Sequence, residues 1–322
     1  MYKVYDRWSE IARESYKVEL EQVDFGGINY IVFSGMGSSG DIGSIFSSIL
    51  SKTATHVSVV KGYLLPRTVD SNTLVVTTSI SGNTTETLTV LDSAKKMKCK
   101  IIAFSSGGKM EDYCVKNNIE FRKISKIHSP RTSLTSFLYS MLKILEPILP
   151  IEKTDIIESI KQLEILGKQI SSINLSSENP SLNLAEWISG IPIIYYPHGL
   201  QSAAMRFKNS LHENSKLHAM AEDIVEACHN GIVSWEKPSN VQPILIEGDD
   251  DYIKTKERWG IVKEYFESQE IQYREIFSTK GSILTKLINL IYLLDYSTLY
   301  KAALSEIDPS PIDSIDYIKK KL

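Results

Sequence analysis

At 322 residues the chain is long enough to bury a sizeable core, and length alone suggests two domains. Hydrophobic residues make up 42% and charged residues 23%, an ordinary balance for a soluble globular protein. The net charge of −3 gives no bulk electrostatic case for nucleic acid or an anionic membrane, and no apolar run reaches the roughly 18 residues of a membrane span.

Residues 1–24 read as a helical arm, with Trp8, Ile11, Ala12, Ser15 and Val18 at helical spacing. They do not read as a signal peptide. Residues 29–33 form a first buried strand. It runs into Ser34-Gly35-Met36-Gly37-Ser38-Ser39-Gly40-Asp41 and then a helix through Ile42, Ile45 and Leu50. Residues 56–60 are a short strand. Thr73-Leu74-Val75-Val76 is an apolar, β-branched run and reads as another. After it comes Thr77-Thr78-Ser79-Ile80-Ser81-Gly82-Asn83-Thr84-Thr85-Glu86-Thr87-Leu88, leading into a helix over 85–97. Residues 100–104 are a strand ending in a Ser-Ser-Gly-Gly turn, and 120–124 an edge strand. Alternation of strand and helix predicts an α/β fold with a doubly wound parallel sheet.

The hydroxyl-rich loop is the centre of this half. It joins a strand to a helix N-terminus, so it offers backbone N–H groups, several Ser and Thr hydroxyls and the positive end of a helix dipole. Those are the parts of a phosphate cradle. One hydroxyl there would be an ordinary N-cap. Several, with a Gly and an Asn, favour an anion. No Lys lies in the loop and the Walker pattern is missing, which excludes a nucleotide P-loop. The glycine- and serine-rich turn at 34–41 opens on the same sheet edge, where ligands of such folds bind. Arg131, in Ser129-Pro130-Arg131-Thr132-Ser133, precedes a helix over 134–148. A cation at a helix start opposes the dipole, which favours a role in holding an anion over a solvated Arg.

Prolines 147 and 150 mark a boundary, giving domains 1–150 and 151–322. Residues 155–172 are a helix, 172–180 a loop and 184–188 a short helix. Strands at 191–196, 242–247 and 272–276, with helices at 199–211, 286–304 and 312–320, repeat the architecture of the first half. Between two helical segments, residues 206–236 crowd ionisable groups. Glu213 reads as standing in a Glu-Asn-Ser loop, and His229-Asn230-Gly231 ends a helix. A carboxylate can move a proton beside a carbonyl, and an imidazole can move one on or off a sugar ring oxygen. Alone, the Glu would read as solvated and the His as a hydrogen-bonded helix end. His212 adjoins Glu213; His56, His128, His198 and His218 are read as structural.

With these residues together the chain resembles the bifunctional phosphoglucose/phosphomannose isomerases, built from two sugar isomerase (SIS) domains. The resemblance covers nearly the whole chain. It rests on Gly35-Met36-Gly37-Ser38-Ser39-Gly40, Ser79-Ile80-Ser81-Gly82-Asn83-Thr84, the Arg131 segment, Glu213-Asn214, Glu226-Ala227-Cys228-His229-Asn230 and the terminal Ile315-Asp316-Tyr317-Ile318-Lys319. It implies that Ser79, Ser81 and Thr84 hold the 6-phosphate, with Ser38 and Ser39 lining the pocket. Ser38 stands where the family usually has Gly. Arg131 would stabilise a cis-enediolate and Glu213 shuttle the proton between C1 and C2. His229 would assist ring opening from the partner subunit of a homodimer. Lys319 would also serve ring opening, with Lys320 and Lys321 as adjacent alternatives; all three also read as a basic helix end. The implied partners are sugar 6-phosphates, with no nucleic acid and no membrane, in the cytoplasm. No cofactor and no metal are implied. Cys99, Cys114 and Cys228 show no CxxC spacing, and no zinc-type cluster of His and Glu is seen. The rivals are an isomerase of another sugar phosphate and a non-catalytic SIS sensor, which would be expected to lack Glu213 and His229.

Overall fold

The computed structural model describes residues 1–321. The chain divides into two compact units, one of residues Asp6–Glu164 and one of Met1–Tyr5 with the residues from Ile165 onward. The division falls inside a helix, fourteen residues beyond the 150/151 boundary expected from the prolines (164 − 150 = 14). Helix α1 (Tyr2–Tyr5) belongs with the second unit and α2 (Trp8–Lys17) with the first, so the expected single arm is split.

In the first unit the elements are β1 (Tyr30–Ser34), α3 (Ser38–Leu50), β2 (His56–Val60), β3 (Thr73–Ser79), α4 (Thr85–Lys96), β4 (Lys100–Ser105), α5 (Lys109–Asn117), β5 (Glu120–Lys123) and α6 (Leu134–Ile144). The sheet order is β2-β1-β3-β4-β5 and every pairing is parallel. All residues of β1 and β3 are buried, which is why they read as continuous apolar runs rather than as alternation. Val32, Val75 and Ala103 face α4 and α5 through Val90, Leu91 and Met110. Phe33 points the other way and stacks on Phe46 of α3 at 4.9 Å. Trp8 anchors α2 by donating to the Thr132 carbonyl at 3.2 Å. Helix α7 (Lys153–Ile170) leads out of the unit.

The second unit holds α8 (Pro180–Trp187), β6 (Ile191–Tyr196), α9 (Gln201–Ser215), β7 (Met220–Asp223), α10 (Ile224–Ala227), β8 (Val241–Glu247), α11 (Ile253–Ser268), β9 (Arg274–Phe277), α12 (Ile283–Leu304) and α13 (Asp313–Lys319). Its sheet, β7-β6-β8-β9, is again parallel. In both sheets the second strand lies outside the first and the third returns to its other side. The second half therefore repeats the winding of the first, one strand shorter. Tyr195 and Leu245 pack on Trp259, Val262 and Phe266 of α11. Most of α12 is buried, so it is apolar nearly all round, as its sequence reads.

Candidate active site

Strands β1 and β3 lie side by side at the point where the chain order reverses, so the turns after them open together at one edge. The turn after β3 is built from its own hydroxyls. Ser79 and Thr84 share a hydrogen bond of 2.9 Å between their side-chain oxygens. The Ser79 Oγ and carbonyl both accept from the Gly82 N–H, at 3.1 and 2.9 Å. Ser81 is exposed, and its Oγ accepts the Asn83 N–H at 3.3 Å. The first turn reaches this one directly: Ser39 Oγ accepts the Ile80 N–H at 3.2 Å. Ser38 and Ser39 are buried.

The helix starts give this edge its electrostatic character. Thr84 is the N-cap of α4, yet its hydroxyl bonds Ser79 and no first-turn N–H donates to a capping side chain. Gly37 and Gly108, the N-caps of α3 and α5, have no side chain to offer. Of the three, α4 is the start that offers its first-turn N–H groups to an anion; those of α3 donate to the Met36 and Gly37 carbonyls, and those of α5 to Asn83 and Gly82. The corresponding turn of the second sheet, Gly248-Asp249-Asp250-Asp251 after β8, carries three carboxylates and is the wrong charge for a phosphate.

Sequence reading missed the third of these helices. Helix α5 braces the loop: the Lys109 N–H donates to Asn83 Oδ1 at 3.1 Å and the Met110 N–H to the Gly82 carbonyl at 2.9 Å. Ser106 donates to the Ile80 carbonyl at 2.7 Å. The signal was Gly107-Gly108 directly after a strand, a third copy of the same strand–glycine–helix pattern.

Arg131 lies in the first unit, 5% exposed, in a turn held by hydroxyls. Ser133 donates to the Ser129 carbonyl at 2.8 Å and accepts the Ile127 N–H at 2.8 Å. The helix after it ends at Ile144, short of the expected 148.

Glu213, His229 and Lys319 belong to the second unit. Glu213 sits in the last turn of α9, half-buried, and not in a loop as expected. The helix continues because its end is bolted to α12. Arg206 and Ser210 bond Asp295, Asn214 Nδ2 donates to Thr298 Oγ1 at 2.8 Å, and Ser215 donates to the Thr298 carbonyl at 2.8 Å. Residues 206, 210 and 214 repeat every fourth position along one face, and Glu213 is turned about 100° from its neighbour Asn214. His212 braces the next strand, its Nε2 lying 3.2 Å from the Ala219 N–H. His229 follows α10, whose start is capped by Asp223. It is exposed, and its N–H donates to the Glu226 carbonyl at 2.8 Å. Lys319 ends α13, which buries no side chain, so Lys319, Lys320 and Lys321 all stand exposed. Among the described residues no group of three or more His, Cys, Asp or Glu is placed to hold a metal ion.

Comparison with known proteins agrees with this layout. Residues 28–144 match the SIS domain, and residues 177–322 match the bacterial phospho-glucose isomerase C-terminal SIS domain. A bifunctional phosphoglucose/phosphomannose isomerase of Caldicellulosiruptor bescii is 33% identical over 305 residues, 92% of this chain and 90% of the relative. The chain belongs to the bifunctional phosphoglucose/phosphomannose isomerase family. The Aquifex aeolicus member is 31% identical over 91% of this chain and 90% of its own. A hypothetical protein of Thermus thermophilus has the same fold, with a TM-score of 0.79 at 13% identity, covering 98% of this chain and 88% of that one. Among the described residues no helix is long and apolar enough to cross a membrane.

Proposed function

We propose that this isomerase interconverts glucose 6-phosphate and mannose 6-phosphate with fructose 6-phosphate through a cis-enediolate. The observation that carries the reading is the start of α4, without a side-chain cap, beside the Ser79–Thr84 hydroxyl pair, where first-turn N–H groups and hydroxyls together suit a phosphate dianion. Ser79, Ser81, Thr84, Ser38 and Ser39 hold that phosphate. Arg131 faces the enediolate charge, where a fixed cation stabilises the intermediate more than the ground state. Glu213 takes the proton from C2 of the aldose and returns it to C1 of the ketose. The enediolate is planar at C2, so the two epimers arise when it presents either face to the proton on Glu213 or rotates about C2–C3.

Ring opening needs a group that moves a proton on the ring oxygen, and His229 and Lys319 take that part. His229 stands exposed, which leaves it accessible to a neighbouring subunit, and Lys319 acts once the C-terminal helix docks. The working unit is a cytoplasmic homodimer, His229 acting across its interface. The chemistry draws on proton transfer and fixed charge alone.

The test is exchange in D₂O. Protein is incubated with fructose 6-phosphate and EDTA, and NMR follows deuterium at C2 of both aldose products. Both labelled aldoses are expected. Glucose 6-phosphate alone would remove the mannose activity. Absence of exchange with binding intact would leave a sugar-phosphate sensor or an isomerase of another substrate.

A further inference from the structure

A phosphate dianion at this edge would meet a loop with no positive charge: residues 77–88 contain neither Lys nor Arg, and Glu86 is their one charged residue. The sheet edge does hold a cation that this reading has left out. Lys61 directly follows β2, next to β1 in the sheet. The Gly35 N–H donates to the Val60 carbonyl at 3.2 Å, which fastens the start of the first glycine turn to the residue before Lys61. Lys61 then crosses that turn. Its Cε lies 3.0 Å from where a Cβ on Gly40 would stand, so the stem lies over Gly40; the Gly35 carbonyl oxygen, 2.7 Å from the same point, is what requires glycine there. Gly40 is the residue next to Ser39, whose hydroxyl bonds the phosphate turn.

The end of the side chain is placed, but loosely. Lys61 Nζ stands 3.6 Å from Asp41 Oδ1. That is longer than the 2.7–2.9 Å of a direct charge-assisted bond. Asp41 is 3% exposed, in the first turn of α3 where a carboxylate suits the helix dipole, whereas the Lys61 side chain is 38% exposed. The carboxylate is therefore the fixed partner and the ammonium the movable one.

We propose that Lys61 is a further substrate-binding residue. Tethered by Asp41, it supplies the positive potential that the hydroxyl cradle lacks, and so selects a phosphorylated over a neutral sugar. This rests on the phosphate reading above. A lysine that only neutralised Asp41 would matter for stability and not for anion affinity, and the two roles separate experimentally.

The probes are inorganic phosphate, titrated by calorimetry, and fructose 6-phosphate turnover at several ionic strengths. Wild-type protein is the control; if it neither isomerises nor binds phosphate, the phosphate reading itself has failed. With an active wild type, K61Q should raise both the phosphate Kd and the KM by about three- to tenfold with kcat within about twofold, the loss expected for one cation near a dianion in high dielectric. The salt dependence of kcat/KM should flatten, and K61R should restore all three. K61M keeps the stem over Gly40 and replaces K61Q if the latter does not fold. A lowered Tm with wild-type Kd, KM and salt dependence would overturn the proposal, as would no change at all.

Discussion

Ser39 and Ile80 join the two turns of the first sheet edge, the Ser39 hydroxyl accepting the Ile80 backbone N–H at 3.2 Å. Both residues are buried, so no water replaces the bond. Ser39→Ala leaves that N–H unpartnered, which costs about 1–3 kcal/mol. Urea denaturation should show a lowered midpoint with unchanged slope, and the KM for fructose 6-phosphate should rise.

Gly82 has φ +71°, and a Cβ built there would overlap the Gly107 carbonyl oxygen. Gly82→Ala therefore meets left-handed strain and a backbone clash together, about 2–5 kcal/mol in all. The brace between the turn after β3 and α5 should open, and inorganic phosphate should no longer bind. Gly199→Ala is the control: no atom lies within 4 Å of its Cβ position. It should leave the melting temperature within about 2 °C, as surface changes generally do.

Asp295 collects the Tyr5 hydroxyl at 3.1 Å, Arg206 Nη2 at 2.7 Å and the Ser210 hydroxyl at 2.7 Å. The Arg206 and Asp295 side chains are 2% and 0% exposed. Asp295→Asn strands a buried guanidinium and should cost about 3–5 kcal/mol. The double change Arg206→Met with Asp295→Leu removes both charges. Denaturation should find it less destabilised than the single variant.

Stability should also fall between mildly acid and neutral pH because of Glu247. This carboxyl ends β8, and burial raises its pKa from 4.5 to about 7, against the opposing pull of Lys263. The folded form thus favours the protonated acid. Its stabilising contribution is full below about pH 4.5 and is lost as pH rises through about 7. Glu247→Gln cannot ionise. The difference in Tm, variant minus wild type, should grow from pH 5 to pH 8; a flat difference would refute the assignment.

Glu213→Gln keeps the shape of the side chain and removes the base. Sugar-phosphate binding should persist, while kcat falls by at least about 10²–10⁴, the range for a general base. Near-normal turnover would remove Glu213 from the mechanism.

The first sheet was legible because its central strands are covered on both faces. Ile31-Val32-Phe33 and Leu74-Val75-Val76 could be nothing else in an alternating chain. Elements with narrow buried stripes were not legible. Helix α11 hides Trp259, Val262 and Phe266 among charged residues, and α5 buries only Met110 and Cys114. Strand β7, Met-Ala-Glu-Asp at the sheet edge, carries no β-branched residue and pairs on one side alone. Glu-Asn-Ser after a helix looks like a turn. It remains helical because Thr298, 83 positions beyond Ser215, takes up its polar groups, a contact no local reading contains. The cradle was readable from composition. Its cation was not, because Lys61 is adjacent to Gly40 only through the pairing of β1 with β2.

Tyr5 has a consequence for how the molecule is made. Its hydroxyl sits on Asp295 and its carbonyl accepts the Tyr292 hydroxyl at 2.6 Å, so residues 1–5 complete a core whose other members come almost 300 positions later. During vectorial synthesis the stretch that is translated early must wait, unburied, while the entire first sheet is produced and can fold. The second sheet has no such freedom: the last core helix must leave the ribosome before its oldest partner is used. A permuted gene that starts at residue 165 and carries residues 1–5 after the present end would abolish that wait, turning an order of assembly written into the topology into one that can be edited.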